Sequence, residues 1–93
     1  MTQRADRIRL ALEARFRPVQ LEITDDSARH AGHAGASPGG ETHYSVHMVS
    51  AGFAGVSRVA RSRAVHEALA GEFSTGLHAL ALRLQSPDEA DQT

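Results

Sequence analysis

Three short stretches of this 93-residue chain alternate apolar with polar residues, and each calls for a half-buried strand. In the first, Val19, Leu21 and Ile23 alternate with Gln20, Glu22 and Thr24. In the second, Tyr44, Val46 and Met48 resume the pattern and set His43, Ser45 and His47 on the other face. Leu80, Leu82 and Leu84 mark a third strand beginning near Leu77. A period of two leaves every strand with an apolar side to cover, so the chain needs a sheet and a layer packed against it.

The covering layer reads as helical. From about residue 3 to residue 16, Ala5, Ile8, Leu12 and Phe16 recur at helical spacing, arginines and Glu13 fill the opposite side, and Pro18 stops the helix. Asp25-Asp26-Ser27 ends the first strand, and Ala28 to Gly40 is a loop of Gly, Ala, Ser, Pro and His without periodicity. Gly52-Phe53-Ala54-Gly55 reads as a turn or one helical turn, with Ser57 placed to cap the helix that follows. Val65, Leu69 and Phe73, preceded by Val59 or Ala60, give that helix its apolar stripe; it can be split, and Gly76 ends it.

Strands joined by a loop pair antiparallel, whereas a helical crossover lets the last two lie parallel. The expected fold is α+β: helix-strand-strand-helix-helix-strand, a three-stranded mixed sheet with helices packed on one face. Residues 1–93 form one domain in this reading, with a core over about 3–85. The polar tail 86–93, with Pro87-Asp88-Glu89, is expected to fray or to form one short helix.

Composition removes several function classes. The aromatic residues are Phe16, Tyr44, Phe53 and Phe73, so the core is mainly aliphatic, and a stability of roughly 5 kcal/mol is the expectation. Without cysteine there is no disulfide, no nucleophilic thiol and no thiolate metal ligand. No apolar run approaches the ~20 residues of a membrane span, and Met1-Thr2-Gln3-Arg4-Ala5-Asp6 lacks the apolar centre of a secretion signal. A cytoplasmic protein with no membrane association is the simplest expectation. The serines lie in no nucleophile elbow, and Asp25-Asp26 suits a strand end better than a catalytic dyad, so catalysis is not expected.

What remains is imidazole. Arg29-His30-Ala31-Gly32-His33-Ala34-Gly35 sets His30 and His33 in the glycine-rich loop, and His78 waits far downstream. Imidazole binds soft and borderline metals without adding negative charge. By parity with Leu80, His78 should turn toward the core side at the end of the sheet, where a structural histidine bonded to a carbonyl is the plain alternative. His33, three residues after His30, could substitute for it. His43 and His47 share a strand face, solvated or paired across the sheet, and could hold an ion adventitiously. His66 is most simply a partly exposed helix residue.

Taken together, Asp26-Ser27, the His30 loop, Glu41-Thr42-His43-Tyr44, Phe53-Ala54-Gly55, Arg61-Ser62-Arg63 with Val65, and His78-Ala79-Leu80 resemble the BolA family in order and spacing, from Ile8 to Leu84. Departures are Ser62, where the family commonly has histidine between two arginines, and His66, where it often has tyrosine. The resemblance implies a class II KH-like fold and partnership with a monothiol (CGFS) glutaredoxin. It implies a shared [2Fe-2S] cluster, with the glutaredoxin cysteine and a glutathione thiolate on one side and two side chains of this chain on the other. Those are His78 and, best matching the loop position, His30, with His33 as the alternative.

Replacing thiolate by neutral imidazole makes a cluster less negative, raises its potential and makes ligation sensitive to pH. That suits cluster trafficking or iron and redox signalling. The isolated chain is expected to be a cluster-free monomer that forms a heterodimer with its partner. The alternative is a KH-like nucleic-acid-binding transcription regulator. Gly52-Phe53-Ala54-Gly55 spells GxxG, and Arg58, Arg61 and Arg63 could meet DNA phosphates, or dock glutathione or an acidic partner rim.

Overall fold

The computed structural model describes residues 3–27 and 41–92. A first helix, α1 (Arg4–Phe16), leads into strand β1 (Gln20–Asp25). Strand β2 (His43–Val49) is followed by a 3-10 turn at Ala51–Phe53. Helices α2 (Arg58–Ala68) and α3 (Ala70–Ser74) cross over to β3 (Ala79–Gln85), and α4 (Pro87–Asp91) closes the chain. No helix among the described residues is long and apolar enough to cross a membrane.

The sheet has the order β1-β2-β3. β1 runs antiparallel to β2, with Ile23 opposite Val46, and β3 runs parallel to β2, with His43 opposite Ala79 and Met48 opposite Leu84. The mixed α+β architecture is therefore the expected one. One face of the sheet is apolar: Tyr44, Val46 and Met48 are buried with Ile8 and Leu12 of α1, Val65 of α2 and Leu69 at the α2–α3 junction. Leu21, Ile23, Leu80, Leu82 and Leu84 border this core.

Local signals explain most element ends. Ser57 Oγ accepts from Ala60 N–H at 3.1 Å and caps α2. Ser86 and Glu89 form a reciprocal capping box on α4, so the polar tail folds as a helix from Pro87. The split of the crossover falls at Leu69, and Gly76 ends it at φ +128°, a conformation that an L side chain rarely adopts.

Two stripes differ from expectation in the same way. Val59 is exposed and Ala60 with it, so neither extends the stripe of Val65 and Leu69; Arg61 does, one turn earlier, and is buried. On α1 the buried residues are Arg4, Ile8 and Leu12, so Arg4 lies on the core side rather than among the solvent-facing arginines. Each buried guanidinium has a carboxylate waiting for it. Arg4 Nη1 donates to Glu72 Oε1 at 2.7 Å and to the Glu72 carbonyl at 3.1 Å, while Nη2 donates to the Thr75 carbonyl at 3.0 Å. Arg7 adds its own bonds to Glu72, and these, with the charge of both arginines, hold the Glu72 carboxyl below its ordinary range. α1 is thereby clamped to α3 by charge as well as by packing.

Candidate functional site

Three short segments meet where β2 and β3 begin: the end of β1, the residues entering β2, and the turn that enters β3. Asp25 Oδ1 accepts from Ser27 N–H at 2.9 Å, turning the chain out of β1. Ser27 Oγ, buried, then accepts from the backbone N–H of both Thr42 at 2.9 Å and His43 at 3.1 Å. Asp26 N–H donates to the His43 carbonyl at 2.7 Å, and Ser45 donates its hydroxyl to Asp26. The residues on either side of the 28–40 segment are thus knotted together, and that segment itself lies outside the described residues.

Thr42 carries the knot across to β3. Its carbonyl accepts from His78 N–H at 2.8 Å and from Ala79 N–H at 3.0 Å. Its hydroxyl shares a hydrogen bond of 2.9 Å with Nδ1 of His43. The consequence is a pair of imidazoles: the rings of His43 and His78 lie 5.3 Å apart, centre to centre, tilted by 47°. His43 is buried, whereas His78 is exposed. The expectation that the His78 ring turns toward the core is therefore corrected. His78 precedes the first ladder residue, Ala79, so the parity of Leu80 and Leu82 does not reach it.

Two carboxylates, Asp25 and Glu41, lie at this end of the sheet. Glu41 adopts φ +63° and its Oε1 accepts from Arg4 N–H at 2.8 Å, supplying the helix cap that Gln3 does not. Burial opposes ionisation of Asp25, but hydrogen bonds from Ser27 and the Glu41 backbone outweigh it and lower its pKa. Burial, reinforced by the charges of Asp25 and Glu41, pushes the Tyr44 phenol up to about 12. Tyr44 stays a neutral core residue.

The other predicted residues separate. His30 and His33 fall outside the described residues. His47 does not join His43: its Nε2 meets Gln85 Oε1 at 2.8 Å and its Nδ1 lies 3.9 Å from Glu22 Oε2, so it is paired across the sheet on both sides. Arg61 is withdrawn from the surface triad. Its Nε donates to the Val56 carbonyl at 2.8 Å, its Nη1 to the Leu84 carbonyl at 3.1 Å, and both terminal nitrogens to Glu89. Arg58 and Arg63 remain exposed. In the GxxG turn, Phe53 is buried against Phe16 with Arg61 over its ring, so this segment serves the core.

The His43–His78 pairing is what sequence inspection missed. Parallel pairing of β2 with β3 is the signal that could have found it, because it brings the starts of both strands to one end of the sheet.

The chain matches the family model described as BolA-like protein over residues 12–89. It is 45% identical over 89 residues to Protein BOLA1, chloroplastic, of Arabidopsis thaliana, covering 94% of this chain and 56% of that protein. Against SufE-like protein 1, chloroplastic/mitochondrial, of the same plant it is 43% identical over 90 residues, 92% of this chain and 24% of that protein. The chain thus spans about half of the first relative and a quarter of the second. Its fold superimposes on the BolA domain of SufE1 from Arabidopsis thaliana with a TM-score of 0.85 at 42% identity, covering 96% of this chain and 98% of that one.

Proposed function

The chain belongs to the BolA-like protein family, and from that premise we propose that it is an accessory protein that binds a monothiol (CGFS) glutaredoxin and shares a [2Fe-2S] cluster with it. His78 supplies one nitrogen ligand, and His30, or His33 in its place, supplies the other. The observation that carries this reading is the knot at Thr42, which sets the exposed His78 ring beside the roots of the segment that bears His30 and His33.

The donor set fits such a cluster and no resident one. Imidazoles are present, thiolates are not, and cysteine is absent from the whole sequence. Sulfur ligands must therefore come from the partner and its glutathione. When bound, the cluster would supply an iron centre whose nitrogen ligands raise its potential and let protons compete for ligation. The chain's own contribution is positional. Thr42 fixes the backbone of His78 and orients His43 beside it, and the exposure of His78 leaves one side open for a foreign ligand. This suits delivery or sensing of a cluster.

The test mixes the chain with a CGFS glutaredoxin, iron, sulfide and glutathione, and records visible absorption and circular dichroism. The expected result is a heterodimer spectrum distinct from that of the glutaredoxin alone, lost in His78→Ala. An unchanged spectrum in that variant would refute the ligand assignment, and failure of the wild-type chain to form a mixed complex would refute the partnership.

A further inference from the structure

At the other end of β3, six residues and about 20 Å of strand from His78, the molecule has a second concave feature. A groove of about 650 Å³ runs between α2, α4 and the outer edge of β3. Its charged lining is Arg58, Arg61, Arg83 and Glu89. Arg61 and Glu89 are joined at 2.6 Å and cancel, which leaves two positive charges, Arg58 and Arg83. Both are exposed, and among the described residues neither side chain makes a hydrogen bond or ion pair.

Three further features favour negative charge in this place. Arg58 is the first residue of α2, so the partial positive charge of that helix terminus adds to its own. Ser57 satisfies only Ala60 among the first amides, leaving those of Arg58 and Val59 for other acceptors. The Leu84 carbonyl, which turns away from β2, is already bound by Arg61. That carbonyl is thus already occupied, and Glu89, bound to Arg61, is a paired carboxylate rather than a free competing anion.

We propose that this groove binds a small molecule carrying two oxyanion groups, phosphate or carboxylate, one for each unpaired guanidinium. The guanidinium fork matches either group in bidentate geometry. The volume lies within the range of small-molecule sites, and the Leu82 and Leu84 lining offers apolar contact to whatever carbon joins the two groups. The site is independent of the histidine end, so a cluster-binding defect and a groove defect are separable.

The experiment is a two-dimensional amide NMR titration of the full chain with pyrophosphate in one arm and citrate in another, at ionic strength matched with sodium chloride. Saturable shifts confined to Arg58, Ser62, Arg83, Gln85 and Gln92 are expected below about 1 mM, the weak end of specific affinity. The arm that saturates first identifies phosphate or carboxylate. Arg58→Gln and Arg83→Gln should each weaken binding roughly tenfold, with thermal stability unchanged. Absence of saturation in both arms, or equal shifts at Arg9 and Arg63, overturns the proposal. Binding of single-stranded oligonucleotide without binding of pyrophosphate or citrate also overturns it, in favour of a nucleic-acid surface.

Discussion

The rings of His43 and His78 stand 5.3 Å apart although α2 and α3 intervene between them in the chain, and only one of the two is exposed. Burial and the Thr42 hydroxyl hold the first ring in place, and the second leans against it. The two substitutions should therefore separate. His78→Ala is expected to abolish the mixed-cluster spectrum with little effect on stability. His43→Ala should destabilise the chain by about 2 kcal/mol and should distort, rather than remove, the visible circular dichroism. Urea melts and spectra of both variants check this.

Ser27 is small and easily overlooked, yet its buried hydroxyl accepts from two backbone amides, those of Thr42 and His43, where β2 begins. Ser27→Ala is expected to lower stability by about 1–3 kcal/mol. Because it also loosens the roots of the 28–40 segment, it should weaken heterodimer formation beyond what the stability loss explains. Titration of the glutaredoxin at a temperature well below the melting transition distinguishes the two effects.

Gly76 combines φ +128° with a tight neighbour, since a Cβ built there would lie 3.0 Å from Nη2 of Arg4. Gly76→Ala should cost about 1–3 kcal/mol through backbone strain alone. The displaced Arg4 guanidinium adds to that, because it is bound to Glu72 and Thr75 and its Nε already lacks a partner among the described residues. A melting temperature lowered by several degrees in differential scanning calorimetry is the expected reading.

Acid should find the arginine clamps. Hydrogen bonds from Arg61, then from the Ser86 backbone, lower the Glu89 carboxyl from 4.5 to about 2, and the bonds of Arg7 with the charge of Arg4 lower that of Glu72. A carboxyl whose folded pKa lies below its unfolded value contributes stability above the unfolded value and loses it as pH falls through the folded one. Urea midpoints should thus hold down to about pH 4.5 and decline toward pH 2. In a Glu72→Gln/Glu89→Gln variant the midpoint near neutral pH should be lower and the decline flatter.

Much of this architecture could be read from the chain because the apolar core covers only one face of its sheet. Alternation around Leu21, Val46 and Leu82 is the direct image of that asymmetry, and Ser57 and Gly76 mark helix ends by local chemistry. The buried arginines escaped because their partners are remote in sequence. Arg4-Ile8-Leu12 and Arg61-Val65-Leu69 follow one helical spacing, and a charged first member looks like the end of a stripe until Glu72 or Glu89 is brought against it. The family pattern points to His78 as a candidate ligand, but strand alternation does not show that it lies exposed, just before the ladder begins at Ala79. Its closeness to His43 depends on the register between parallel strands, which alternation leaves open.

The bond between Arg61 and Glu89 has a mechanical consequence. It moors the final helix to the body of the domain, so a segment fused after residue 92 would leave from a braced post rather than from a slack cord. The same guanidinium sits over the Phe53 ring, so that mooring point is tied to the core as well.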